Sequence, residues 1–253
     1  ELDLFTTLQA HHDEDADYVQ RKGRTNGAKI WAVGQAMALD RALSLFSSPT
    51  LGTEGPFPEF YFLDCHSCHR RIYDSQNFNQ TVADNPARPI PVGMPPFNDE
   101  NMIMLSAAAR IVAPAQAARF EAESKAFHGA FARDRNSAIS AAARLRATAN
   151  ALAAAFQSAS FGRDQSFAII DLIASEAINP RFTDYEGSVQ AVMATDTLLN
   201  ALVNTGSVPA ANAAAIRSDI NRAYAAVRDP NDYRPADFRR ALGSAVRTIR
   251  TLR

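Results

Sequence analysis

The sequence predicts an all-α protein, a multi-helix bundle or array interrupted by long irregular loops. Three observations predict it. Apolar residues recur at intervals of three and four in stretch after stretch of the 253-residue chain, the period of one helix face. Little besides Phe60-Tyr61-Phe62-Leu63 has the character of a strand. Turn signals gather at 47–58 and 77–98 and leave long helical runs elsewhere.

The first predicted helix covers residues 2–20. Phe5, Leu8, His12, Ala16 and Val19 share one of its faces, so His12 falls inside an apolar stripe. His11 and the acidic run Asp13, Glu14, Asp15 and Asp17 read as solvated surface. A basic turn ending at Asn26-Gly27 precedes a second helix reaching Phe46. Ile30, Val33 and Met37 line one side of it, and Ala36, Leu39, Leu43 and Phe46 another, so it packs between neighbours.

Ser47 to Pro58 is a loop. Between Asn77 and Asn98, Pro86, Pro89, Pro91, Pro95 and Pro96 destroy regular periodicity. The apolar Val92, Met94 and Phe97 in that stretch lead us to expect it to wrap over something hydrophobic. A helix follows through Val112, its Met102 and Met104 reading as core. Pro114 suits a first helical position and opens a helix to Arg133, with Phe120, Phe127 and Phe131 on one face and His128 at its border.

Another helix spans Asn136 to Phe156. The next is capped by Asp164 or Ser166 and stopped by Asn179-Pro180. Thr183-Asp184-Tyr185-Glu186 has capping-box form and opens a helix through Val203. Ile216, Ile220, Tyr224 and Val227 mark a further one, closed by Asp229-Pro230. Pro235 begins the last, with Phe238, Leu242, Val246 and Ile249 in register and Arg247 and Arg250 near its end. The organisation expected is a chemistry-bearing part, 1–112, with an alanine-rich helical bundle, 113–253, packed on it or continuous with it.

Both cysteines of the chain stand in Cys65-His66-Ser67-Cys68-His69. The form C-x-x-C-H reads as an attachment site for a c-type haem. Thiols at i and i+3 reach the vinyl groups on one porphyrin edge, and the following histidine offers a nitrogen to the iron. Two other readings use the same residues: a zinc site completed by His11 and His12, and a thioredoxin-like dithiol fed by the Phe60–Leu63 segment. Trp31 reads as core or as packing against a cofactor edge.

Composition narrows the partners. A net charge of -1 with 47% hydrophobic residues gives no basic field for nucleic acid. No run of about 18 uninterrupted apolar residues is present to span a membrane. The most apolar tract, Ala138 to Phe156, is broken by Arg144 and Arg146. A chain starting at Glu1, without methionine or leader, is expected of a mature exported protein.

The segment from about 55 to 112 resembles class I cytochromes c. Besides C-x-x-C-H, Pro91-Val92-Gly93-Met94-Pro95-Pro96-Phe97 and the helix after Asn98-Asp99-Glu100 are similar to that family's methionine loop and C-terminal helix. The resemblance implies that Cys65 and Cys68 form thioethers to one haem c, that His69 is the proximal iron ligand and that Met94 is the distal one. It also implies maturation outside the cytoplasmic membrane, hence a periplasmic or otherwise exported location. Met94 follows His69 by 25 positions, a shorter loop than is usual in the family.

Competing for the distal position are His12, His128 and an open site. Arg70 and Arg71, just after His69, read as a solvated helix face or as partners of haem propionates. The function expected is electron transfer with a redox partner protein, and the helical half offers a surface for homo- or hetero-oligomers. A displaceable sixth ligand would instead make a haem peroxidase or a gas or redox sensor. No catalytic triad, P-loop, G-x-G-x-x-G or HExxH pattern supports a hydrolase, kinase or dehydrogenase.

Overall fold

The computed structural model describes residues 15–50, 59–64, 89, 91, 94–178 and 185–253. Nine α-helices make up most of these residues: α1 (Ala16–Lys22), α2 (Gly27–Phe46), α3 (Glu100–Val112), α4 (Pro114–Phe131), α5 (Arg135–Ser158), α6 (Arg163–Ala177), α7 (Tyr185–Asn204), α8 (Ala210–Ala226) and α9 (Pro235–Arg250). The expected all-α class holds. Phe60–Phe62 forms a 3-10 turn, and Leu63 makes a single antiparallel bridge with Phe97.

Local chemistry explains most boundaries. Asn26 caps α2 by accepting from the Lys29 N–H at 3.0 Å, and its amide donates to the Phe161 carbonyl at 2.9 Å. Pro114 and Pro235 open α4 and α9, where a missing N–H costs nothing. After α7 the chain reverses at Gly206, whose φ of +71° suits a residue without a side chain. The Ser207 N–H then returns to the Leu202 carbonyl at 2.8 Å.

Two boundaries depart from the sequence reading. Asp15 has extended backbone (φ -67°, ψ 175°), and its carboxylate accepts from the Tyr18 N–H at 2.8 Å. A helix therefore starts there, and the continuous helix expected over 2–20 does not pass through Asp15. At α6 neither Asp164 nor Ser166 is the cap. Gly162 is, with its N–H bonded to the Gln165 side chain at 3.2 Å, and Ser166 Oγ turns back to the Gly162 carbonyl. The capping residues Thr183 and Asp184, and the Asn179-Pro180 stop, lie outside the described residues.

Small side chains set the packing. Ala28, Ala32 and Ala36 of α2 are buried, as are Ala138, Ala141, Ala142 and Ala149 of α5, and these two helices pack together. Alanine lets helix axes approach closely while still removing apolar surface from water. Gly27 carries this further, since a Cβ there would stand 3.3 Å from the Cβ of Ala201 on α7. Asp40 ties the same pair at its surface, accepting from Arg146 and Asn150 of α5, each at 3.0 Å.

Helix α3 packs on α2, α4, α6 and α7, so one buried apolar cluster runs across the boundary at residues 112 and 113. Trp31, Met102 and Met104 are part of it, as expected of core residues. At the far end Arg163 stacks over Phe167 at 5.2 Å and donates to the carbonyls of Ser207 and Leu252. One guanidinium thus holds the α7–α8 turn and the end of the chain together. Among the described residues, no helix is long and apolar enough to cross a membrane.

Candidate functional site

Cys65, Cys68, His69, Arg70 and Arg71 lie outside the described residues, as do His11 and His12. The structure does describe the chain leading into the motif. Phe62, Leu63 and Asp64 run antiparallel to Pro96, Phe97 and Asn98. The Asp64 N–H donates to the Pro96 carbonyl and the Asn98 N–H to the Phe62 carbonyl, both at 2.9 Å. Asp64, the residue before Cys65 in sequence, is buried at the end of this bridge.

Met94 stands two residues before Pro96 on the opposing segment. Its N–H closes a turn onto the Pro91 carbonyl at 3.1 Å, and its side chain is half-buried against the core. The bridge therefore joins the segment preceding the C-x-x-C-H residues to the one that follows Met94. Backbone pairing sets this relation, and no spacing in the sequence reveals it.

A cluster of five phenylalanines anchors the bridge. Phe97 meets Phe127 at 4.9 Å between ring centroids, Phe131 at 5.7 Å and Phe46 at 5.8 Å, each nearly edge to face. Phe62 stacks parallel to Phe97 at 6.1 Å and meets Phe46 edge-on at 5.5 Å. The edge-to-face pairs align each ring's positive edge with its neighbour's negative face. Phe97, in the stretch expected to wrap over something hydrophobic, inserts into the protein's own apolar core. Phe60 and Tyr61, just before Phe62 in the same 3-10 turn, are 70% and 75% exposed.

His128 of α4 does not merely border the phenylalanine face. It is fully buried beside Phe127, and its Nε2 lies 3.1 Å from Oδ2 of Asp99, at the start of α3. The sequence shows no link between these two residues, because helix packing alone brings them together. Nearby, Glu121 of α4 accepts from Ser106 Oγ at 2.8 Å and from the Arg110 guanidinium of α3. The Glu121 hydrogen bond is the main cause that holds Arg110 above its ordinary pKa, against the opposing effect of burial.

Among the described residues, no group of three or more histidine, cysteine, aspartate and glutamate side chains is arranged to hold a metal ion. Both cysteines, four of the five histidines and the two arginines of the motif region belong to the remainder. Comparison of the chain with protein-family models, with curated proteins and with solved structures found no match.

Proposed function

We propose that this chain is an exported, mono-haem c-type cytochrome that passes electrons to or from a protein partner. The observation that carries the reading is the C-x-x-C-H sequence, which uses both cysteines and supplies an adjacent imidazole. The bridge supports it, since the approach to that motif is paired with the segment beside a half-buried thioether.

In this reading Cys65 and Cys68 would hold one haem c covalently, and His69 and Met94 would ligate its iron. When bound, the haem supplies a one-electron couple. Met94 contributes a soft sulfur donor, which favours ferrous iron and raises the potential. Arg70 and Arg71 pair with the propionates. The phenylalanine cluster would hold the segment leading into the motif against the segment that follows Met94, which limits reorganisation when the charge changes.

An absorption spectrum of the matured protein, oxidised and reduced, with and without CO, tests the reading. Haem bands with the weak far-red methionine-to-ferric-iron band, unchanged by CO, are expected. A CO-induced shift would favour the alternative of a haem peroxidase or gas sensor with a displaceable ligand. Absence of haem would redirect attention to zinc or dithiol chemistry at Cys65 and Cys68. Met94→Ala is expected to lower the midpoint potential while haem stays attached. An unchanged potential would transfer the ligand role to His12 or His128.

A further inference from the structure

A cavity of about 230 Å³ lies between α3, α4 and α6. Its rim carries Arg110, Glu121 and Glu176, whose side chains are 44%, 38% and 54% exposed. Its buried end is formed by His128 and Asp99, 1% and 2% exposed. Met102, Ala107, Phe120 and Ile173, all buried, supply the apolar wall between the two ends.

Two other polar side chains on this wall are engaged within the protein. Ser106 donates to Glu121, and Ser124 donates to the Met102 sulfur at 3.2 Å. The His128 ring differs. Among the described residues neither Nδ1 nor Nε2 has a partner in hydrogen-bonding geometry, although Oδ2 of Asp99 stands 3.1 Å from Nε2. Burying a polar group without a hydrogen bond costs free energy, so native proteins rarely leave one in that condition without a use. A ligand hydroxyl would satisfy it, because a neutral imidazole offers both a donor and an acceptor.

Size and charge restrict the ligand. The volume is below the roughly 300 Å³ at which pockets for drug-sized molecules begin, and above the roughly 150 Å³ of an apolar cavity that takes benzene. Asp99, Glu121 and Glu176 outnumber the single guanidinium of Arg110 around it, which disfavours an anion. We propose that the cavity binds a small uncharged molecule with an apolar body, about one ring in size, whose hydroxyl group bonds to His128. The proposal stands apart from the haem reading and does not depend on it.

Phenol is the probe, titrated calorimetrically into the protein as isolated, with benzoate and toluene as comparisons. Saturable one-to-one binding of phenol is expected, with benzoate and toluene each at least about tenfold weaker. His128→Phe should weaken phenol about tenfold, the loss of one hydrogen bond. Ala107→Leu fills the cavity from a different wall and should abolish binding while helical content is retained, which keeps the test decisive if His128→Phe fails to fold. The absorption spectrum should not change on adding phenol. No binding of phenol, binding indifferent to Ala107→Leu, or a phenol-induced shift of a haem band would each overturn the proposal.

Discussion

Helices α5 to α9 and the region around the Leu63–Phe97 bridge are held by different means. In the former, polar side chains pair with one another. Asp196 of α7 accepts from Arg217 at 2.7 Å and from Tyr224 at 3.3 Å, and Ser188 and Tyr233 share a hydrogen bond at 2.7 Å. Tyr185 donates to the Val227 carbonyl at 2.9 Å, and burial pushes its phenol pKa up. Around the bridge, five phenylalanine rings set the position of two short segments, and among the described residues buried His128 meets Asp99 at 3.1 Å without hydrogen-bonding geometry. No cysteine or histidine occurs after residue 128. The contrast teaches that the later helices are tied by paired polar groups, whereas the bridge is held by packed rings beside a histidine whose polar atoms are left for a use other than the fold.

The sharpest way to break this contrast is to remove both motif thiols. Cys65→Ala with Cys68→Ala should abolish the proposed covalent haem completely, as read by the mass of the denatured protein. Its far-UV circular dichroism should keep most of the helical signal, because α3 to α9 are joined by one apolar cluster. Collapse of that signal would show that the two regions depend on each other for folding.

Next in size is the loss of an anchoring ring. Phe97→Ala should destabilise the protein by about 3–5 kcal/mol, the usual cost of emptying a buried phenylalanine site. Phe60→Ala, an exposed ring in the turn that precedes the bridge, should change stability by no more than about 0.5 kcal/mol. Urea unfolding of the two variants compares them directly. Equal effects would mean that the rings do not hold the bridge.

Much of the fold was legible from residues that act locally. Asn26, Pro114 and Pro235 announce helix starts because a cap or a proline acts within one turn of itself. The last helix was equally plain, since Phe238, Leu242, Val246 and Ile249 recur on one buried face. Asp15 misled, because the stripe from Phe5 to Val19 continues across it and its capping role is concealed in an acidic run. Gly162 misled in the opposite way. A glutamine reaching back to its N–H takes the place of the aspartate or serine that sequence preference nominates. At the site, the Phe120–Phe127–Phe131 face could be read from periodicity. Its junction with Phe46, Phe62 and Phe97, and the meeting of His128 with Asp99, depend on which helices pack together. Those contacts are tertiary and leave no local signal.

A smaller effect probes how α2 is fastened to the later helices. Asn26 both caps α2 and donates to Phe161 in the α5–α6 connection. Asn26→Ala should cost about 1 kcal/mol, the typical value for a lost N-cap. Asn26→Asp keeps the acceptor and removes the donor, so it should recover most of that loss. Failure of the aspartate to recover it would place the larger share in the tie to Phe161.

The smallest effect is expected at the start of α5, and it depends on pH. The Asp134 carboxylate accepts from Ser137 Oγ at 2.6 Å and from the Ser137 N–H at 2.9 Å. These bonds, the hydroxyl one first, hold its pKa below the ordinary 3.8. A carboxylate lowered on folding contributes stability that is fully present above the unfolded value and is lost as pH falls through the folded one. The melting temperature of Asp134→Ala should therefore lie below that of the unaltered protein at neutral pH. The gap should narrow once the pH drops below 3.8. A gap that stayed constant into acid would mean that the cap works through the shape of the oxygen acceptor and not its charge. The test belongs on the later helices for a physical reason. Asp134 is fully exposed, so its charge acts only through the turn it caps, with no buried partner to obscure the result.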